Sequence, residues 1–275
     1  MDRRTTPAND RVAASYLKGR IEAVRFTDGQ PHQVRVPVTT IYRDPDRKIR
    51  DRELLFGDSF LVLEDRDGFS FGQSTKDKYC GYVASIDLSN STPPTHFVSA
   101  RSTHVYSGAG IKNPPIMALS FGSRLSLIGE QGKFAKTSEG QFLPRVHVRE
   151  VDELFEDPVE VAELFLGTPY LWAGNSSYGI DCSGLIQAAF LACGIDCPGD
   201  SDLQELALGK QLPDSAETRR GDLFFWKGHV AMAVDEDRII HANANTMSVA
   251  YEQIDVAVER IKAAGEGPVT SRRRI

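Results

Sequence analysis

The chain has 275 residues, of which 41% are hydrophobic and 25% are charged, and its formal net charge is −6. Such a composition is typical of soluble globular proteins, and the length suffices for about two domains. The negative net charge argues against nucleic acid or an anionic membrane as a partner, because both require a basic surface.

The first 30 residues read as a polar N-terminal extension. Apolar residues at near-helical spacing predict a short helix over residues 11–24. This region has no apolar core of the kind found in secretory signals, and no stretch of the chain reaches the roughly 18 apolar residues that span a bilayer. We therefore expect a cytoplasmic protein without a membrane partner.

From residue 31 to about residue 149, short strand-like runs alternate with Gly, Pro, Asp and Asn, as in small antiparallel barrels. A weak internal repeat divides this region. Ile41-Tyr42 recurs as Val105-Tyr106, Leu54-Leu55-Phe56-Gly57 recurs as Leu119-Ser120-Phe121-Gly122, and Gly68 has its counterpart in Gly132. The nearly constant offset predicts two all-β barrels, over residues 31–92 and 93–150.

Residues 151–275 have a different pattern and predict a separate α+β domain. Asp157-Pro158 is a helix start signal, and apolar residues at helical spacing predict a second helix over residues 182–193. Strands are predicted over residues 222–226, 229–234, 238–242 and 247–253. The basic end of the chain, Ser271-Arg272-Arg273-Arg274-Ile275, is expected to be a solvated terminus.

Cys182 is one of four cysteines and stands at the predicted start of a helix. Unpaired N–H groups and the helix dipole favour the thiolate at that position, and the thiolate is the nucleophilic form. Cys193 and Cys197 lack the spacing of a redox pair, and no set of zinc ligands accompanies them. Zinc is possible but unsupported at these cysteines, and the predicted chemistry implies no metal or organic cofactor.

Two histidines lie on the predicted strands that follow Cys182. If the acidic residues after Val234 form a hairpin turn centred on Asp235, His229 and His241 stand directly opposite one another. One imidazole can then act as the base and the other can orient it. Taken singly, such a cysteine is commonly buried packing and such a histidine an ordinary structural residue. The residues alone therefore leave catalysis and packing open.

The order Asp181-Cys182-Ser183-Gly184-Leu185, Gly221-Asp222-Leu223, Gly228-His229-Val230 and His241 resembles the NlpC/P60 family of cell-wall cysteine peptidases. The similarity extends over about residues 155–265, and the repeat before it is similar to paired bacterial SH3 domains. The resemblance implies an α+β papain-like catalytic domain preceded by two small all-β SH3-like barrels. It also implies that Cys182 is the nucleophile, His229 the base and His241 its orienter.

The two barrels resemble those of the subgroup that cleaves between γ-D-glutamate and a diamino acid, either meso-diaminopimelate or lysine. This resemblance implies a murein peptide with a free N-terminal L-Ala, whose ammonium is bound by acidic groups while the first barrel closes one end of the cleft. It assigns substrate contacts to six residues: Tyr79, Trp172, Asp181, Ser183, Ser201 and Glu53. Trp172, Ser183, Ser201 and Tyr79 could instead be packing or capping residues, and Glu53 a surface residue. Asp181 could serve only to favour the start of the helix through its dipole.

Two positions depart from the family pattern. Ala173 replaces a common glycine, and Gly199 stands where relatives often carry arginine. The expected cytoplasmic location suits recycling of imported murein peptides. Two other functions stay open: amidase or acyltransferase chemistry at the same thiol, and a non-catalytic module that binds murein fragments.

Overall fold

The computed structural model describes residues 1–275 and divides them into two compact units, Met1–Glu153 and Leu154–Ile275. None of its helices combines the length and the apolar character that a membrane-crossing helix needs. The first unit is built from strands with three short 3-10 turns. Its strands are β1 (Val12–Ala14), β2 (Arg25–Thr27), β3 (Gln30–Val34), β4 (Val38–Tyr42), β5 (Arg50–Leu55), β6 (Ser59–Arg66), β7 (Phe69–Ser74), β8 (Cys80–Ala84), β9 (Leu88–Asn90), β10 (His96–Val98), β11 (Ser102–Tyr106), β12 (Pro115–Ser120), β13 (Arg124–Leu125), β14 (Leu127–Gln131), β15 (Phe134–Thr137), β16 (Phe142–Pro144) and β17 (Val148–Glu150).

Strands β3 to β9 form one seven-stranded antiparallel sheet that closes over its own apolar core. Strands β10 to β17 form a five-stranded and a three-stranded sheet around a second core. The strand register shifts at equivalent places in these two regions. The β4–β5 pair shifts after Ile41 and the β11–β12 pair after Val105. A second pair of shifts follows Val62 in β6 and Leu127 in β14.

The predicted helix over residues 11–24 is wrong. Val12–Ala14 is a strand that pairs in parallel with β2, and Ser15–Leu17 is a single 3-10 turn. Tertiary packing overrides the helical pattern, since Val12, Ala14 and Leu17 are buried together with Leu63 and Phe71. The N-terminal residues thus add to the first β structure.

The second unit begins with helices and ends with an antiparallel sheet. Its elements are α1 (Pro158–Glu163), β18 (Asn175–Ser176), β19 (Gly179–Ile180), α2 (Cys182–Ala192), α3 (Ser201–Ala207), β20 (Lys210–Gln211), β21 (Leu223–Trp226), β22 (His229–Ala233), β23 (Arg238–Asn243), β24 (Ser248–Gln253), α4 (Ile254–Ala263) and β25 (Ser271–Arg274). The sheet has six strands in the order β20-β25-β21-β22-β23-β24. Helix α2 packs against β22 and β23, so the cysteine helix contacts the strands that carry both histidines.

The basic C-terminus is not a solvated end. Ser271–Arg274 is strand β25, which lies inside the sheet between β20 and β21. Arg274 forms a two-pronged ion pair with Asp222, whose side chain is fully buried. Sequence reasoning missed this strand because three consecutive arginines look like solvated charge, whereas here they lie in a strand inside the sheet and Arg274 pairs with an internal carboxylate.

Candidate active site

Cys182 is the first residue of α2, and its environment is set by Asp181. Asp181 is the N-cap, and its carboxylate accepts hydrogen bonds from the N–H of Gly184 (2.6 Å) and of Ala173 (2.9 Å). The hydroxyl of Ser183 donates to the same carboxylate (3.0 Å). The helix start is therefore fixed in place, with Cys182 at the positive end of the helix dipole. The buried Cys182 retains 7% of its surface exposed.

The loop before the cysteine helix lies directly against its first turn. A Cβ atom at Gly184 would come 2.4 Å from the carbonyl oxygen of Gly174, and one at Gly174 would come 2.5 Å from that of Gly179. Only glycine permits such approach, which explains two of the glycines around Cys182. Ala173 in this loop has φ +62°, the left-handed region that favours glycine.

Trp172 and Tyr170 flank this loop with different exposures. Trp172 is 69% exposed, so it is not a core residue and its indole is available to a ligand. Tyr170 is half-buried, and its pKa is raised first by that burial and then by the charges of Cys182 and Asp181. The Tyr170 phenol thus lies within electrostatic reach of the thiol, which sequence reasoning did not single out.

His229 and His241 form a hydrogen-bonded pair, with 2.9 Å between Nε2 of His229 and Nδ1 of His241. The predicted register is wrong, however. Strands β22 and β23 pair Met232 with Ile240 and Ala233 with Ile239, so the hairpin is centred on Glu236 and not on Asp235. The side chain of Asp235 accepts hydrogen bonds from the N–H groups of Asp237 and Arg238. The turn therefore consists of Asp235, Glu236 and Asp237. The histidines are diagonal neighbours on one face of the ribbon, and their long side chains still meet.

Burial determines the charge state of His229. His241 is fully buried, and the ring of Trp226 packs 5.6 Å from that of His229. Burial, followed by the influence of His241, lowers the pKa of His229 to about 3. The resting imidazole is neutral near pH 7 and can accept a proton.

Two further residues extend the pair. Nε2 of His241 lies 3.0 Å from a carboxylate oxygen of Glu252 in β24, and Glu252 accepts two hydrogen bonds from Arg260 in α4 (2.8 and 2.7 Å). Sequence reasoning missed both residues because it did not predict α4. The signal was present, since Ile254, Ala257, Val258 and Ile261 follow helical spacing.

The remaining predicted contacts lie in different surroundings. Ser201 is the buried first residue of α3, and Asp200 precedes it as N-cap. The side-chain amide of Gln204 in the same helix donates to the carbonyl oxygens of Ser183 and Pro198, both at 2.9 Å, which ties α3 to the cysteine helix.

Tyr79 and Glu53 belong to the first unit. Tyr79 is 2% exposed and packs in the apolar core formed by β3 to β9. Glu53 is buried rather than at the surface, and it accepts a hydrogen bond from Arg50 (2.6 Å). Their predicted contacts with substrate stay predictions.

The cysteines and potential metal ligands form no additional centre. All four cysteines are free thiols, and no group of three or more His, Cys, Asp or Glu side chains is placed to hold a metal ion.

Comparison with known proteins gives a consistent picture. The NlpC/P60 family model matches residues 167–262, and a model described as the bacterial dipeptidyl-peptidase SH3 domain matches residues 41–88. The chain is 30% identical over 223 residues to the γ-D-glutamyl-L-lysine dipeptidyl-peptidase of Bacillus subtilis, an alignment that covers 72% of this chain and 73% of that protein. It is 25% identical over 244 residues to dipeptidyl-peptidase 6 of Lysinibacillus sphaericus, covering 79% and 89% of the two chains.

A solved structure shares the fold. The crystal structure of an NlpC/P60 family protein from Bacillus cereus has a TM-score of 0.73 and 19% identity, and the alignment covers 89% of this chain and 99% of that one. The chain therefore belongs to the NlpC/P60 family, as a cell-wall cysteine peptidase with an SH3-like all-β region before its catalytic domain.

Proposed function

We propose that this peptidase hydrolyses the bond between γ-D-glutamate and a diamino acid in murein peptides with a free N-terminal L-Ala, such as L-Ala-γ-D-Glu-meso-diaminopimelate. The observation that carries the proposal is the hydrogen-bonded His229–His241 pair on strands packed against the helix that begins with Cys182. The name of the Bacillus subtilis relative, a γ-D-glutamyl-L-lysine dipeptidyl-peptidase, supports this class of bond.

The reaction follows from the roles of three residues. His229 takes the proton of the Cys182 thiol, and the resulting thiolate attacks the γ-glutamyl carbonyl carbon. The oxyanion that forms is held in part by the N–H of Cys182 at the helix start. His229 protonates the departing amine as the C–N bond breaks, leaving a thioester. Water activated by His229 then attacks the thioester, which releases L-Ala-D-Glu and regenerates the thiol.

Recognition of the substrate rests on groups around the cysteine. Trp172 is the exposed apolar wall, and Asp181 is the nearest carboxylate in sequence for the terminal ammonium. Ser183 and Ser201 are the polar partners for the peptide. A role in recycling murein peptides in the cytoplasm and the identity of the barrel over residues 93–150 as a second SH3 domain stay predictions.

Two pairs of tripeptides test the proposal: L-Ala-γ-D-Glu-L-Lys and L-Ala-γ-D-Glu-meso-diaminopimelate, each free and N-acetylated. Mass spectrometry should find cleavage of at least one free peptide and little cleavage of its acetylated form, because acetylation removes the ammonium charge. Equal turnover of free and acetylated peptides would contradict recognition of the free amine and would favour broader amidase chemistry at the same thiol.

A further inference from the structure

Four side chains from four consecutive elements form one hydrogen-bonded chain behind the base. His229 in β22 contacts His241 in β23 at 2.9 Å, and His241 contacts Glu252 in β24 at 3.0 Å. Arg260 in α4 closes the chain with two hydrogen bonds to Glu252. The side chain of His241 has no exposed surface and that of Glu252 is 15% exposed, so water competes little for these contacts.

The ionised end of this chain gives it a direction. The Arg260 hydrogen bonds, and then the one with His241, lower the pKa of Glu252 to about 2, so near neutral pH its carboxylate can only accept. Nε2 of His241 must then carry a proton and donate it to Glu252. A neutral His241 is left with a lone pair on Nδ1, which accepts from Nε2–H of His229. The remaining nitrogen of His229, Nδ1, is then unprotonated.

We propose that Glu252, held by Arg260, is a positioning residue that fixes the tautomers of His241 and His229 and presents Nδ1 of His229 as the base. When His229 takes up a proton during turnover, the carboxylate also offsets the positive charge through His241. The kinetic part of this inference rests on the proposed function, whereas the tautomers belong to the free protein. The site thus needs an acid and an arginine beyond its cysteine and two histidines.

A purely structural role is the competing explanation. Glu252 and Arg260 connect the end of β24 to the last turn of α4, and such an ion pair could serve only to hold the helix on the sheet. That role would affect the free energy of unfolding, but it would not select which imidazole nitrogen carries a proton. The protonation of each nitrogen therefore separates the two explanations.

Nitrogen-15 NMR of the full chain labelled at histidine tests the tautomers without any substrate. At pH 7.5, the wild-type spectrum should show Nε2 protonated and Nδ1 unprotonated for both rings, with assignments from His229→Gln and His241→Gln. In Glu252→Gln the side-chain amide can donate a hydrogen bond as well as accept one. His241 should then no longer carry its proton on Nε2 alone. Asp235→Asn is the matched control: it makes the same carboxylate-to-amide change in an exposed pair with Arg238 on the same hairpin, and should leave both rings unchanged.

Kinetics supply the second measurement. We expect Glu252→Gln to lower kcat on the tripeptide by about 10- to 100-fold with KM changed by less than about threefold, because altering the hydrogen-bond partner of a metal-ligating histidine has an effect of about this size. Asp235→Asn should retain wild-type kcat. A wild-type spectrum in which Nε2 of His241 lacks a proton would overturn the inference, as would an unchanged kcat and unchanged tautomers in Glu252→Gln.

The two measurements keep this inference separate from the proposed function. If wild-type protein shows the expected tautomers but cleaves no tripeptide, the substrate is wrong and the positioning role of Glu252 stands. If Glu252→Gln does not fold, the wild-type spectrum alone decides, because it either shows the proton on Nε2 of His241 or does not.

Discussion

Asp181 combines two roles that a single substitution can separate. Its carboxylate already accepts the N–H groups of Gly184 and Ala173, and the proposed function adds the substrate ammonium. In Asp181→Asn, one oxygen still caps the helix, but the amide nitrogen faces the N–H of Ala173. We therefore expect a loss of about 1–3 kcal/mol in the free energy of unfolding.

Steady-state kinetics of Asp181→Asn test the second role. If the carboxylate binds the ammonium, KM for the free tripeptide should rise about tenfold or more, since a charge-assisted contact contributes about 1.5–3 kcal/mol. Asp181→Ala, which removes the cap as well, should be less stable than Asp181→Asn. An unchanged KM in a folded Asp181→Asn variant would reduce Asp181 to a capping residue.

Two neighbouring positions in the loop beside Cys182 should respond differently to substitution: Ala173 should tolerate glycine, whereas Gly174 should not tolerate alanine. Ala173 has φ +62°, where an L-residue is strained and glycine is not. Ala173→Gly should therefore leave stability unchanged or raise it by up to about 1 kcal/mol, because relief of strain outweighs the greater entropy of an unfolded glycine.

Gly174→Ala is the contrasting variant. Its Cβ would lie 2.5 Å from the carbonyl oxygen of Gly179, so the loop must move away from the cysteine helix. We expect a loss of roughly 1–3 kcal/mol. Chemical denaturation of both variants measures the difference, and equal stabilities would show that the loop accommodates a side chain at either position.

At the level of elements, strand β25 joins the end of the chain to the sheet. Arg274 donates two hydrogen bonds of 2.7 Å to the buried carboxylate of Asp222. Arg274→Ala should lower the midpoint of thermal unfolding, because a buried carboxylate is left with fewer donors. Arg273→Ala in the same strand removes only longer bonds, 3.3 and 3.4 Å, to the carbonyl oxygens of Leu208 and Gly209, and should cost less. The reverse order would contradict this role for the Arg274–Asp222 pair.

Elements with a strong local signal in the sequence could be predicted, and elements without one could not. Helices α1 and α2 were predicted from a Pro start signal and from apolar spacing, and the strands that carry both histidines from their β-branched and apolar runs. The predicted hairpin centre lies one residue too early. The carboxylate of Asp235 accepts N–H groups from residues after it, which places the centre of the turn at Glu236. The helix predicted over residues 11–24 is wrong because apolar side chains of this segment pack on strands far along the chain. Glu252 and Arg260 could not be recognised before α4 placed them beside His241.

The molecule as a whole combines a repeated β structure with the peptidase unit. The repeat could be recognised from the sequence because equivalent turns require the same residue type. Gly57 and Gly122, for example, have φ angles of +82° and +84°. The contacts of the six predicted substrate residues were not predictable, because burial and capping depend on tertiary packing. Trp172 proved exposed and Tyr79 buried, although both are aromatic residues in short motifs.

The free energy of unfolding should depend on pH through His229 and Glu252, two members of the hydrogen-bonded chain behind the base. The folded pKa of His229 is about 3 against 6.5 for a free histidine, and that of Glu252 is about 2 against 4.5 for a free glutamate. In both cases the unfolded chain binds more protons between the two values, so the stability that these two groups contribute is complete above about pH 6.5 and is lost as the pH drops toward 2. His229→Gln should flatten the part of this loss between about pH 6.5 and 3. Urea unfolding across this range measures this loss, and an unchanged slope in His229→Gln would contradict a His229 imidazole that stays neutral in the folded protein.

The most direct test of the account is the identity of the products from L-Ala-γ-D-Glu-L-Lys and its meso-diaminopimelate counterpart, with wild-type protein and Cys182→Ala compared in the same experiment. We expect L-Ala-D-Glu and the free diamino acid from wild type, and no product from Cys182→Ala with an unchanged circular dichroism spectrum. Cleavage between L-Ala and D-Glu, or products from folded Cys182→Ala at the wild-type rate, would contradict it.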